Sequence, residues 1–235
     1  MVSKKKLVKF DLHMHTFRSD GFNSTRKMLM TAKKRGLDVV AITDHNVVNK
    51  LNPEETFEKY GIYTIPGFEL SFLRGHLLIL GLDKDLAEKK IKEWKIPPRK
   101  MAVIARKKTI RKILRWSVDN GALVIAAHPR LPTGTMSLKG SFLAKLYKEG
   151  LIHGAEVHNN GLEVHFSRKL YLFWHRLIEK LTKKMGIPTY ANSDAHHHCL
   201  IGTRFNMIKL DDPTKLLEKL KSKRVKIRHG TKSDL

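Results

Sequence analysis

A single cysteine, Cys199, stands among 235 residues. One thiol cannot form an internal disulfide, so the fold must rest on its own core, and the count fits a reducing cytoplasm. No run of about 18 apolar residues occurs, which argues against a membrane span. The opening residues, Met1-Val2-Ser3-Lys4-Lys5-Lys6, lack the apolar stretch of a signal peptide. Acidic residues are scarce: 22 Asp and Glu against 46 Lys and Arg leave a net charge of +24. Ion-pair networks of the thermophile kind would raise Glu together with Lys, and here Glu has not kept pace. Excess positive charge attracts polyanions, nucleic acid above all, although a solvated basic surface without a cognate polymer has the same composition. Internal repeats, low-complexity linkers and composition breaks are missing as well, so residues 1–235 read as one domain.

What the chain does have is a set of histidine and carboxylate motifs. Leu7, Val8 and Phe10 form an apolar lead into Asp11-Leu12-His13-Met14-His15-Thr16. Side chains two apart on a strand share a face, so His13 and His15 project together, the spacing a metal ion takes from two imidazoles. A lone His-x-His would fit a polar strand edge equally well. This one is followed by Thr43-Asp44-His45, Gly67-Phe68-Glu69, His76, His128-Pro129 and Asn192-Ser193-Asp194-Ala195-His196, most of them directly after an apolar, β-branched run. Ligands recurring at strand ends point to one shared mouth.

The elements between these motifs alternate. Ser24 should cap a helix over 25–35, followed by a strand over 37–42. A short helix opens at Pro53, and a strand over 62–65 ends at Pro66-Gly67-Phe68-Glu69. The next strand begins at His76. Residues 85–120 turn helical and basic, divided at Pro97-Pro98, and the second helix, over 99–119, should bury Val103, Ile104, Ile110, Ile113, Leu114 and Trp116. Strands over 122–127, 154–158 and 187–191 alternate with helices over 141–149 and 164–185, the latter burying Leu170, Phe173, Leu177, Ile178 and Leu181. Late strands over 205–210 and 225–228 flank a helix over 213–222. Seven strands alternating with helices argue for parallel βα units closing into one barrel.

The motifs together resemble the PHP family, the polymerase and histidinol phosphatase domains. That resemblance covers essentially the whole chain and implies a distorted (β/α)7 barrel with a metal cluster at the C-terminal mouth of its strands. It implies two or three divalent ions. His13, His15, Glu69 and Asp194 would hold the first; Glu69, as a bridge, with His76 and His128 the second; Asp20, His45 and His196 the third. Asp20 also reads simply as a turn aspartate before Gly21. Imidazole with carboxylate suits zinc, manganese or iron. Closely spaced ions acidify water, so that hydroxide exists at neutral pH, and clamp a phosphoryl group. The implied activity is therefore hydrolysis of a phosphate ester, with Glu69, His128, Asp194 and Arg130 nearest the reacting group.

Arg130 and Arg18 could each grip a substrate phosphate through the guanidinium fork, or be ordinary surface arginines. Asp11 and Asp44 fit carboxylates that orient imidazole N–H groups, or caps of a strand end. Glu156, His158 and Asn159 end a strand where they could touch substrate or leaving group. His197 and His198 read as solvated neighbours of the last motif, and no motif supports Cys199 as a nucleophile. His153, His165, His175 and His229 read as structural or surface residues. Charge favours RNA or DNA as substrate, since residues 84–115 hold 13 Lys or Arg against three acids. The alternatives are a small-molecule phosphomonoesterase of the histidinol-phosphate type, a non-catalytic subunit associated with nucleic acid, and an amidohydrolase-like C–N hydrolase, for which a lysine at a strand end is lacking.

Overall fold

The computed structural model describes residues 6–97, 103–129, 137–160, 167–222 and 225–235. Within them the strands form two five-stranded sheets. The first runs β10 (Arg228–Thr231), β9 (Arg204–Leu210), β1 (Lys6–Asp11), β2 (Val39–Val40), β3 (Tyr63–Thr64). The second runs β4 (Gly67–Phe72), β5 (Gly75–Leu80), β6 (Leu123–Ala127), β7 (Gly154–Asn159), β8 (Thr189–Asn192). Helices α1 (Thr25–Lys34), α2 (Pro53–Tyr60), α3 (Lys84–Glu93), α4 (Lys107–Asp119), α5 (Gly140–Lys148), α6 (Arg168–Met185) and α7 (Leu216–Lys221) connect them.

The fold is mixed α/β, as the pattern of elements required, but the expected parallel pairing holds only in part. The β1–β2–β3 and β6–β7–β8 neighbours are parallel, whereas β10–β9–β1 and β4–β5–β6 are antiparallel. The described residues form two sheets and no closed barrel. A hairpin is the reason for half of this difference. Residues 67–72, all buried, continue past Glu69 as a strand of their own and turn back at Gly75. Gly75 sits at φ +139 with Leu138 where a Cβ would go, so the turn requires glycine.

Each strand divides its side chains between an inner and an outer core. Val8, Phe10, Leu12, Val39, Leu78, Leu80, Ile125 and Tyr190 fill the space between the sheets. Phe68, Leu70, Leu77, Ile79 and Val124 point outward and are covered by α3 to α6, while α1 packs Met28, Leu29 and Ala32 over the first sheet. Each such side chain contributes about 1.5–3 kcal/mol by leaving water. Towards one end the inner face changes character: on β5, Leu80 and Leu78 give way to His76, and on β4 the same face carries Glu69 and Ser71. Leu12 belongs to the inner core and Met14 to the outer one, so the alternation resets after β1 and turns His13 and His15 into that polar end.

Two seams join the sheets around this end. Isolated bridges pair His45 with Glu69 and Met14 with Ala195. Between β8 and β9 a side chain replaces the backbone ladder: Asn206 Oδ1 accepts the Ala191 N–H at 2.8 Å and Nδ2 donates to Ala191 O at 2.7 Å.

Several helices differ from their sequence reading. The helix expected over 99–119 begins at Lys107. Val103 pairs with Phe72 in extended conformation, and Ile104, expected in the buried stripe, is 88% exposed. α3 stops at Glu93, capped by Trp94, ahead of the prolines. α6 buries Tyr171, Trp174, Ile178 and Thr182, so the stripe is shifted and Phe173 faces solvent. Trp174 sets this rotation, because its indole N–H donates to Pro129 O at 2.6 Å inside the protein.

Candidate metal centre

The nine residues named from sequence as metal ligands, His13, His15, Asp20, His45, Glu69, His76, His128, Asp194 and His196, converge at the polar end. Their donor atoms fall into three adjoining sets. In the first, His13 Nε2 and His15 Nε2 lie 3.1 Å apart. Glu69 Oε2 stands 3.2 and 3.3 Å from these two nitrogens, and Asp194 Oδ1 stands 3.3 and 3.2 Å from them. Four donors around a tetrahedral ion with bonds of about 2.0–2.1 Å sit about 3.3 Å from one another. The five separations between the imidazole pair and its carboxylates are those of donors that could share one ion.

Glu69 divides its two oxygens. Oε2 faces the first set and His45 Nδ1, at 2.9 Å. Oε1 faces His76 Nδ1 at 3.0 Å and His128 Nε2 at 3.4 Å. In the third set Asp20 Oδ2 meets His196 Nε2 at 3.0 Å and His45 Nε2 at 3.5 Å, and Asp20 Oδ1 lies 3.6 Å from His15 Nδ1. Asp20 is carried by a tight loop in which Gly21 is required, since a Cβ there would lie 2.5 Å from His15 O.

Neighbouring groups fix which nitrogen faces the centre. Glu156 accepts from His13 Nδ1–H at 2.8 Å, leaving Nε2 as the inward lone pair. Glu156 also accepts from Asn192 Nδ2, Asn159 Nδ2 and the His128 backbone N–H, at 2.8–2.9 Å. His196 Nδ1–H donates to Asp194 O at 3.0 Å, which aims Nε2 at Asp20. Three residues with left-handed backbone lie here, Asn46 (φ 55), His128 (φ 29) and Asp194 (φ 49). Such conformations cost about 1–3 kcal/mol each and persist where the surroundings impose them.

Burial pushes His45 and His196 towards neutrality, but the carboxylates outweigh it: Glu69 and Asp20 carry His45 up to about 10, and Asp20 and Asp194 carry His196 up to about 9. His13 is raised too, by Asp194, Glu69 and Glu156 against burial. His76 goes the other way, because burial prevails over Glu69. Against their own burial, Glu69 and Asp194 are held well below the usual carboxylate range by the imidazoles. Protons here stand in for cations. Glu69 Oε2, Asp194 Oδ1, His76 Nε2 and His128 Nδ1 are nevertheless buried without a well-formed hydrogen bond. Buried carboxylate oxygens and lone pairs left in this state, at this spacing, fit divalent ions.

Other sequence assignments change. Asp11 accepts the backbone N–H groups of His13 and Ser193, so it anchors chain rather than imidazole. Asp44 reaches His15 through an intermediary: Ser19 Oγ donates to Asp44 at 2.8 Å and lies 3.4 Å from His15 Nδ1. Glu156 is fully buried behind His13 and positions it, so it cannot be a substrate contact. His158 turns away from the centre, at a bulge in β7, and stacks on His175. Ser71, 2.7 Å from His45 Nδ1, went unread in the sequence. Its place two residues after Glu69 on a strand is the signal that would have found it. Arg130 lies outside the described residues, as does His165. Arg18 sits on the Asp20 loop.

This arrangement defines a class, that of sites whose imidazole and carboxylate groups could hold metal ions. The PHP domain profile matches residues 11–161 and the PHP-associated profile residues 173–225; the chain belongs to the PHP family. An uncharacterized protein of Methanocaldococcus jannaschii is 31% identical over 137 residues, 53% of this chain and 70% of its own length. A phosphoribosyl 1,2-cyclic phosphate 1,2-diphosphodiesterase of Eggerthella lenta is 35% identical over 81 residues, 32% of this chain and 31% of its own. A 5'-3' exoribonuclease of Haemophilus influenzae is 30% identical over 159 residues, 65% of this chain and 54% of its own. This chain thus spans under a third of the first enzyme and about half of the second. Among solved structures, a two-domain protein from Bacteroides vulgatus containing a predicted PHP-like metal-dependent phosphoesterase aligns with TM-score 0.63 at 21% identity, over 95% of this chain and 65% of that one. At that identity the likeness is one of fold.

Proposed function

We propose that this protein is a metal-dependent phosphoesterase acting on phosphodiesters of a nucleic acid or nucleotide. The observation that carries the reading is the spacing of His13, His15, Glu69 and Asp194 around a point that a single ion would occupy, with Glu69 turning its second oxygen to His76 and His128. The three ion sets are those implied by the family resemblance, with Asp20, His45 and His196 as the third and zinc, manganese or iron as the candidates. Bound there, such ions would lower the pKa of water and neutralise charge developing on phosphoryl oxygens. Glu156 and Ser71 hold His13 and His45 in orientation, and Asp44 does so for His15 through Ser19. Arg130 is read as a phosphate-gripping residue because it follows Pro129, whose carbonyl is fixed by Trp174.

Residues 1–235 are read as one unit, because β9 completes the sheet of β1 and because Asp194 and His196 complete the ligand sets of the N-terminal motifs. The nine ligands present support an active member over a scaffold subunit. Three features favour a nucleic acid. The net charge is +24. The Asp20 loop presents Phe17 and Phe22, 62% and 78% exposed, on backbone pinned by Phe17 N–H to Asn23 O and Phe22 N–H to His196 O. Bases stack on such aromatic faces. The relatives' names, an exoribonuclease and a cyclic phosphodiesterase, point the same way. The basic helix α4 supports it less than its composition suggests, since Arg111 is engaged with Glu149 at 2.6 and 2.8 Å.

The test is a substrate panel with Mn²⁺ or Zn²⁺ supplied: single-stranded RNA and DNA, a nucleoside cyclic phosphate and small phosphomonoesters. Turnover of oligonucleotides or the cyclic diester above the monoesters is expected. Monoesterase activity alone would replace this reading with a small-molecule phosphatase.

A further inference from the structure

After His196 the chain continues His197-His198-Cys199, and these three side chains leave the buried centre. His197 and His198 are half-buried and Cys199 is exposed. One donor atom from each lies within 4.8 Å of the other two, and the two imidazole rings are 4.2 Å apart. The tautomer of His198 is fixed. Asn23 Oδ1 accepts the His198 backbone N–H at 2.9 Å, which identifies that atom as oxygen, so His198 Nδ1, 3.1 Å from it, must be the donor of their contact. The Nε2 lone pair is thereby left facing Cys199 Sγ at 3.8 Å. A zinc ion with a sulfur bond of about 2.3 Å and a nitrogen bond of about 2.0–2.1 Å, opening at about 110–120°, holds its two donors about 3.6–3.8 Å apart.

We propose that His197, His198 and Cys199 form a second, surface metal site for a borderline-soft divalent cation of the zinc class, with His198 and Cys199 already presented and His197 joining them by giving up the long contact in which its Nδ1 accepts the Cys199 backbone N–H at 3.4 Å, which leaves a fourth position open. Asn23 plays the part there that Glu156 plays for His13: it spends one ring nitrogen of the imidazole on a hydrogen bond so that the other is presented to the ion. Its donor chemistry separates it from the buried centre, which offers only nitrogen and oxygen. It begins one residue after His196 of the Asp20 set. It does not depend on the phosphoesterase reading.

Cys199 is the only cysteine in the chain, so sulfur ligation has one source. Metal-stripped protein titrated with Co²⁺ should develop a near-ultraviolet sulfur-to-cobalt charge-transfer band. Cys199→Ser should abolish the band, and Asn23→Ala should weaken binding about tenfold or more. Glu69→Gln should leave the band intact, which separates this site from the buried one. Zn²⁺ should also slow alkylation of Cys199 in the native protein. Co²⁺ in excess of every buried position with no charge-transfer band, or alkylation at the same rate with and without Zn²⁺, would overturn the proposal.

Discussion

Two groups of histidines are brought together in this fold, and they behave in opposite ways. At the polar end, six imidazoles surround Glu69, Asp20 and Asp194. Away from it His158 on β7, His175 on α6 and His229 on β10 cluster with ring centroids 4.2 and 5.5 Å apart and His158 Nε2 only 3.2 Å from His175 Nε2. Carboxylates lift His45 to about 10 in the first group. In the second, burial and the neighbouring imidazoles drive His158 down to about 3, and burial lowers His229. The acid beside this second group, Glu179, is 3.9 Å from His175 and largely exposed. Histidines brought together are therefore not yet a cation site. Interleaved buried carboxylates create the deficit of positive charge that an ion would fill.

The comparison breaks if the two groups respond alike to mutation. Glu69→Gln removes the charge shared by two ligand sets, and metal content and turnover should fall by more than the ~10–100-fold typical of a ligand's hydrogen-bonding partner. His175→Gln should change neither, as measured by bound metal and kcat/KM on a diester. Glu156→Gln loses only the acceptor behind His13, so the ~10–100-fold loss in metal affinity is its expected range. Glu179→Gln, its counterpart in the other group, should leave metal affinity unaltered.

The pH dependence of stability sharpens the contrast, because His45 and His196 act on one limb and His158 on the other. In metal-stripped protein, His45 and His196 have folded pKa values of about 10 and about 9, above the unfolded value. Their contribution is fully present below about pH 6.5 and is lost as pH rises through 9–10. His158 has a folded value near 3, so its neutral form favours the fold above about pH 6.5 and that contribution is lost as pH falls towards 3. Denaturant midpoints of chelated protein should decline on both sides of about pH 6.5, towards pH 9–10 on one limb and towards pH 3 on the other. His158→Gln should flatten the acid limb alone. Restoring the metal should flatten the alkaline limb, since ions replace the protons there. An alkaline limb unchanged by metal would mean that ions and protons do not compete for these imidazoles.

The smallest effect expected concerns substrate. Stacking on an aromatic is worth about 1–3 kcal/mol per base, so Phe22→Ala should weaken single-stranded oligonucleotide binding about fivefold or more. An abasic oligonucleotide should not register the change. Equal loss for both would make Phe22 a structural residue of the loop.

The convergence of the candidate ligands was legible in the sequence because each of their motifs follows or begins an apolar run. Less was legible where tertiary packing decided. Gly67–Phe72 is buried on both faces, so it carries no alternation to announce a hairpin, and Glu69 looked like the end of a strand when it stands near the middle of one. Glu156 and Glu69 look alike in sequence. Only the hydrogen bonds of His13, Asn159 and Asn192 show that the first stands behind a ligand while the second lies among the ligands. The rotation of α6 depends on one indole reaching Pro129 O, which helical periodicity does not encode. His158 and His128 each lie at a strand end, and a bulge in β7 sends the first to the opposite face.

The central claim is that the buried constellation holds ions on which activity depends. The most direct measurement is the metal content of Cys199→Ser protein, in which the surface site is absent, followed alongside diesterase activity through chelation and reloading. The account predicts about two or three ions per chain, lost and regained in step with activity. Full activity in protein stripped of metal, or less than one ion per chain at full activity, would contradict it.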